Sequence, residues 1–273
     1  MTRLTHREAG NAINYTAKPF KWSFSGAVAE LLLIAAFVLV NIFVYESYWT
    51  NIASGKEQNV KEEQVETLFS GYKNPRGAHI PALGEAFAKI YIPSFGTDFS
   101  FAIVEGTSDE DLLAGPGHYD NTQMPGESGN FAVARHRVGK GSPFNDLGKL
   151  NTCDSIVIET QTNWYTYKIL PMAGDASSRQ QAASQCLTPA VSSRVSNGDY
   201  SDVEGRHITT PDHYEVVNPH PSLDAPLSPD MLPVLTLTTC HPQFSNAERM
   251  VIHAVLTESL DKSSGQIPKS LQS

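Results

Sequence analysis

Residues 233–256 read PVLTLTTCHPQFSNAERMVIHAVL. Two apolar, β-branched runs, 234–239 and 249–256, are interrupted by a short polar break that begins at His241-Pro242. That pattern reads as two adjacent antiparallel strands joined by a loop. Such a pair leaves Cys240 at the end of one strand and brings Arg249, nine residues on, close to it in space. Working outward, similar runs recur at 87–92, 101–105, 130–134, 155–160, 164–170 and 214–218, separated by Gly, Pro and Asn. Eight short strands with this punctuation predict a mainly β fold, an eight-stranded closed or nearly closed barrel. Helical pattern is weak beyond 108–113 and 144–147. Residues 171–213, polar, Ser-rich and nearly strandless, read as a long loop, which in a compact domain is usually functional or disordered.

The 273 residues carry a net charge of −9, with 40% hydrophobic and 18% charged residues. The chain is therefore too apolar for disorder, and it lacks the basic face of a nucleic-acid binder. Three cysteines exclude a disulfide-dense scaffold. The charge is unevenly placed. Residues 1–23 hold Arg3, Arg7, Lys18 and Lys21 against Glu8, a local +3 that leaves −12 for the remainder. Next comes FSGAVAELLLIAAFVLVNIFVY, residues 24–45, long enough as a helix to cross a bilayer core. Trp22, Tyr45, Tyr48 and Trp49 flank it as interfacial aromatics do. The reading is an uncleaved single-pass anchor with residues 1–23 as a cytoplasmic tail and the rest of the chain outside. Residues 46–85 form an external linker with a short helix over 56–69. A β-barrel over 86–258 and a polar tail over 259–273 complete the organisation.

Nine histidines are too many to interpret singly. Cys240 is more telling, because a thiol at a strand end beside a loop suits a nucleophile. A buried, inert cysteine fits the same position, and composition alone leaves both readings open. His136 ends another strand-like run, NFAVARH. A thiol, an imidazole and a guanidinium are the groups a thiol acyl transfer needs: nucleophile, proton donor and oxyanion partner.

LTLTTCHP at 235–242 with Arg249, together with NFAVARHR at 130–137, resembles the signature of the sortases. The stretch 104–137 and the membrane-proximal 26–51 resemble class E sortases in particular. The resemblance implies a sortase-type barrel on the outer face of a Gram-positive membrane. The implied activity cleaves a C-terminal sorting signal of secreted proteins, LAxTG or LPxTG in type, between Thr and Gly. A thioester is then passed to an amine of a cell-wall precursor, with no cofactor and no metal. By motif position Cys240 is the nucleophile, His136 the general acid and base, and Arg249 the oxyanion or positioning residue. Tyr119 and Thr239 are the implied substrate-binding residues. Since the nucleophile must stay free in an exported domain, a Cys153–Cys186 disulfide is expected, alongside the alternative of two inert thiols.

Two departures from the resemblance matter. Arg135 stands where similar proteins have Gly before the histidine, and an inward-pointing Arg135 would crowd the site and lower the histidine pKa. Strand alternation predicts that it points away. The long 171–213 segment makes signal preference harder to infer than catalytic class. Rival readings are an inactive sortase-like membrane-tethered scaffold and a class C pilin-polymerising sortase, although 46–88 holds no Asp-Pro and 257–273 no hydrophobic run. A zinc site from His118, His136, Cys240 and His241 lacks ligand spacing.

Overall fold

A computed structural model describes residues 23–71, 79–137, 143–243 and 245–272, with backbone alone for 46–51. The expected tail 1–23 up to residue 22, Trp22, and residues 72–78 of the linker 46–85 lie outside the described residues, as do the side chains of Tyr48 and Trp49. Two compact units divide the chain, Met1–Glu46 and Ser47–Ser273. Helix α1 runs Phe24–Gly71, so the short helix expected at 56–69 belongs to a single longer one. In the first unit, Phe24–Tyr45 has a mean hydropathy of 2.6 and is long and apolar enough to cross a membrane.

In the second unit, strands β1 (Ala86–Tyr91), β2 (Ser100–Glu105), β3 (Gly117–His118), β4 (Gly129–Ala134), β5 (Ser155–Glu159), β6 (Asn163–Ile169), β8 (Pro233–His241) and β9 (Glu248–Asp261) form the order β6-β5-β1-β2-β3-β4-β8-β9. Pairing of β6 with β9 closes this into an eight-stranded barrel. Strand β7 (Arg206–Thr209) lies outside the closure, on the stretch of β9 between Arg249 and Ile252. The fourteen-residue β9 is long because it pairs with β8 along one edge while β7 and then β6 share the other. Alternation fills the barrel with Phe131 and Val133 of β4, Leu235 and Leu237 of β8, and Ile252 and Ala254 of β9. Gly117 is required in β3, where a Cβ would sit 2.3 Å from the Gly106 carbonyl oxygen. The close approach this glycine permits places the following His118 and Tyr119.

The second half of α1 packs on the barrel. Val65 is fully buried against Ala86, Ala102, Val104 and Ala114, worth about 1.5–3 kcal/mol. Lys61 donates to the Gly84 carbonyl at 2.6 Å, and Lys89 pairs with Glu62 at 2.6 Å. Helix α2 (Asp109–Ala114) starts with a capping box between Ser108 and Asp111, as the 108–113 pattern predicts.

Two expectations are corrected. Residues 171–213 are not a structureless loop: they hold α3 (Ala176–Ala183), α4 (Pro189–Asn197) and β7. Asp175 and Thr188 cap the two helices, which close a second small core around Leu170, Val195, Tyr200 and Val203. Buried Arg179 holds this layer together by donating to the carbonyls of Pro171, Met172, Val195 and Val203. The second correction concerns 214–218, which is not a strand but a 3-10 turn, Tyr214–Val217. The side-chain amide of Asn130 donates to the Val216 and Asn218 carbonyls, which satisfies them without a ladder partner.

A disulfide joins Cys153, before β5, to Cys186, after α3, across 5.8 Å between their Cα atoms. Thiol counting on the denatured, unreduced protein should accordingly give one free thiol, Cys240. Three free thiols would refute the bridge.

Candidate active site

Strand register assembles the site. Cys240, a half-buried free thiol, sits directly opposite Arg249 in the β8–β9 ladder. On its other side β8 runs parallel to β4, with Ala134 opposite Thr238 and the Arg135 amide donating to the Thr238 carbonyl at 3.1 Å. β4 ends at Ala134, and the half-buried His136 follows it by two residues, the position that would fall opposite Cys240 if the register ran on. Cross-strand partners share a face of the sheet, so Cys240 and Arg249 leave one face, and His136 has the parity of that face. This face is opposite to the one that carries Leu235 and Leu237 into the barrel core.

Parity also separates two neighbouring threonines. Thr238, two residues before Cys240, is on the same face, and its hydroxyl hydrogen-bonds the Tyr119 hydroxyl at 3.0 Å. Burial raises the Tyr119 pKa, while the Arg249 charge pulls it back and Cys240 adds to the rise, so this phenol lies within electrostatic reach of both. Thr239 does not join the site. It is buried on the opposite face, where its hydroxyl donates to the Arg135 carbonyl at 2.8 Å and ties the end of β4 just before His136. Thr238 was missed by motif reading, although the two-residue period back from Cys240 would have found it. Tyr119→Phe and Thr238→Val should each weaken peptide use by about 3–10-fold, the loss of one hydrogen bond, and the double variant should cost no more than the larger single. Additive losses measured as kcat/KM would show that the two hydroxyls act separately.

Arg135 points away from the site. Its guanidinium is buried and donates to the Leu112 and Gly115 carbonyls of α2 and its cap, and to the Ser54 hydroxyl of α1. Burial lowers its pKa to about 10, which leaves it a cation at neutral pH. His118 does not reach the thiol either. It is buried with Nδ1 at 2.8 Å from Glu105, and its Nε2 is 2.9 Å from the Thr122 hydroxyl. His241, next to Cys240, accepts at Nδ1 from the Arg137 guanidinium.

Residues 90–257 match the sequence model of the sortase domain. The chain belongs to the sortase family. Among solved structures, a SrtF sortase from Corynebacterium diphtheriae is 54% identical, with a TM-score of 0.72 over 74% of this chain and 99% of that one. Sortase E from Streptomyces avermitilis is 31% identical, with a TM-score of 0.51 over 70% of this chain and 99% of that one. Sortase SrtE1 of Streptomyces coelicolor is 27% identical over 252 residues, 89% of this chain and 60% of the relative. The matched region spans about 60% of the length of that relative and 59% of the SrtE2 sortase of the same organism, which is 31% identical over 154 residues. Class E sortases are thus among the proteins this sortase resembles.

Proposed function

We propose that this sortase is a membrane-anchored cysteine transpeptidase that cleaves a C-terminal sorting signal of secreted proteins between Thr and Gly and transfers the acyl group to an amine of a cell-wall precursor. The observation that carries this reading is the row formed by Cys240 and Arg249 in register, with the end of β4 delivering His136 alongside. In the first half-reaction the Cys240 thiol passes its proton to the His136 imidazole and its Sγ bonds to the Thr carbonyl carbon. Arg249 stabilises the oxyanion, the C–N bond breaks, and His136 gives its proton to the leaving glycine amine. In the second, the acceptor nitrogen bonds to the thioester carbon and loses a proton to the His136 imidazole. The C–S bond then breaks and the thiol returns. Tyr119 and Thr238 line the signal's side of the site.

Phe24–Tyr45 is the anchor in this reading. The cationic residues before it favour an N-terminus in the cytoplasm, with the catalytic unit outside a Gram-positive membrane. The scaffold alternative rested on Arg135 entering the pocket, and its contacts with α1 and α2 remove that support. The test is incubation of the purified chain with LAxTG and LPxTG peptides, with and without an added primary amine. Amine-linked product and a peptide adduct on Cys240 are expected. Hydrolysis unaffected by amine would indicate a protease, and no adduct with either peptide would overturn the proposal.

A further inference from the structure

Glu105 and His118 stand opposite one another in the β2–β3 ladder, so their side chains leave the same face of the sheet. That face is the core side, since His118 is also the ladder partner of Val133 and its ring packs against Phe87 and Phe131. Both groups are nearly sealed from water, His118 at 1% exposure and Glu105 at 7%. The next residue, Tyr119, has the opposite parity and turns to the face of Thr238. A buried carboxyl–imidazole pair thus backs the residue whose phenol borders the thiol.

Counting protons shows what the imidazole does there. The Thr122 hydroxyl has one proton, which it gives to the Tyr119 carbonyl at 2.8 Å, and it accepts from the Ala132 amide at 3.2 Å. His118 Nε2 lies 2.9 Å from the same hydroxyl oxygen and 3.2 Å from the Gln123 carbonyl, so it can only be the donor. With the Nε2 proton committed to this turn, the 2.8 Å contact between Nδ1 and Glu105 needs a further proton, held by the imidazole or by the carboxyl. The Tyr119 amide donates to the Ala132 carbonyl at 3.0 Å, and the Tyr119 carbonyl also accepts from the Thr122 amide at 2.8 Å. Both polar groups of the tyrosine's main chain are therefore held. The contacts run from Glu105 through His118, Thr122 and Tyr119 to Thr238, two residues from Cys240.

Core packing alone does not call for such a pair. Burying two ionisable groups costs desolvation, and apolar side chains of similar size fill the same space at equal or better stability. What a Leu or Phe cannot supply is the Nε2–H that reaches the turn. We propose that Glu105 and His118 are positioning residues for the sorting signal: they hold the 119–123 turn, and with it the Tyr119 phenol, against Thr238 beside the thiol. This rests on the transpeptidase reading above, in which Tyr119 and Thr238 line the signal's side of the site.

The experiment replaces the pair by Glu105→Leu/His118→Phe in the solubilised full-length chain. Thermal unfolding should change little, whereas KM for a sorting-signal peptide should rise about 3–10-fold with kcat within about twofold of wild type. In a Tyr119→Ala background the same replacement should leave KM unchanged, because the side chain through which it acts is gone. Glu105→Gln, whose amide can donate to Nδ1 while the Nε2–H stays on the turn, should keep KM near wild type. Thr122→Val leaves the buried pair in place and should reproduce the rise, and it decides the matter if the double variant does not fold. An unchanged KM in either variant, an equal rise in the Tyr119→Ala background, or a Glu105→Gln enzyme as weak as the double variant overturns the proposal. A peptide-free measurement separates it from the transpeptidase reading: the aromatic NMR signals of Tyr119, with and without Thr238→Val. They should respond to Thr238→Val in the wild type and cease to respond in Glu105→Leu/His118→Phe and in Thr122→Val. That result supports the pair even if no peptide is cleaved. An equal response in all of them, or none in the wild type, removes the pair even where peptide cleavage leaves the transpeptidase reading standing.

Discussion

Arg249→Ala should lower kcat/KM for sorting-signal cleavage about 10²–10³-fold, and Cys240→Ala should form no acyl adduct at all. The reason is geometric. Arg249 is the direct ladder partner of Cys240, so the two side chains leave the same face of the sheet, and its Nη1 donates to the Asn246 and Glu248 carbonyls at 3.0 Å, at the turn that faces the thiol. Removing it exposes the oxyanion to water, at a cost of about 3–4 kcal/mol in the transition state and much less in the Michaelis complex. The loss should therefore fall mainly on kcat. Arg249→Lys should recover part of it, since the charge survives while the planar pair of donors is lost. His136→Ala belongs to the same unit, and adding it to Arg249→Ala should cost less than the product of the single losses. Steady-state kinetics with one fluorogenic peptide checks all of these. An Arg249→Ala enzyme within threefold of wild type would exclude the assigned role.

Arg135→Ala should destabilise the catalytic unit by about 3 kcal/mol while leaving turnover per folded molecule nearly intact. The guanidinium joins two places distant in sequence, Ser54 in α1 and the end of α2, where it donates to the Leu112 and Gly115 carbonyls. Truncation leaves buried carbonyls unpaired, each costing about 1–3 kcal/mol, and opens a void in the space of a long side chain. In a unit of this size the loss corresponds to a fall in Tm of about 6–12 °C. Arg135→Gly, which restores the residue expected before the histidine, should be no better, because α1 and α2 are built around the longer side chain. Thermal unfolding of the full chain measures the first part. Active-site titration by peptide adduct gives kcat per folded enzyme. A loss of turnover with unchanged Tm would mean that Arg135 acts on His136 and not on the packing.

Seven of the eight runs read as strands are strands, because β-branched and aromatic residues between turn residues suit a pleated, half-buried surface wherever the partners lie. The eighth, 214–218, has the same composition but lies over the face of the sheet, where Asn130 takes its carbonyls. The two-residue β3 and four-residue β7 were invisible, since strands that short exist only through the neighbours that pair with them. Helices α3 and α4 carried local signals, Asp175 and Thr188-Pro189 at their starts, but at eight and nine residues they show little apolar periodicity. Their stability comes from the small core beneath them and from Arg179.

The sequence by itself determined seven of the eight barrel strands and the apolar segment at 24–45, and its resemblance to sortases named the candidate trio Cys240, His136 and Arg249, because strand period and motif spacing are properties of neighbours along the chain. Tertiary structure decided which side of each strand meets the core. That choice turned Thr238 toward Tyr119, Thr239 toward β4 and Arg135 toward Ser54, contacts that join residues up to 119 positions apart. It also placed Glu105 and His118 behind Tyr119. Alternation names two faces for every strand, and only the pairing of distant strands settles which one becomes the site.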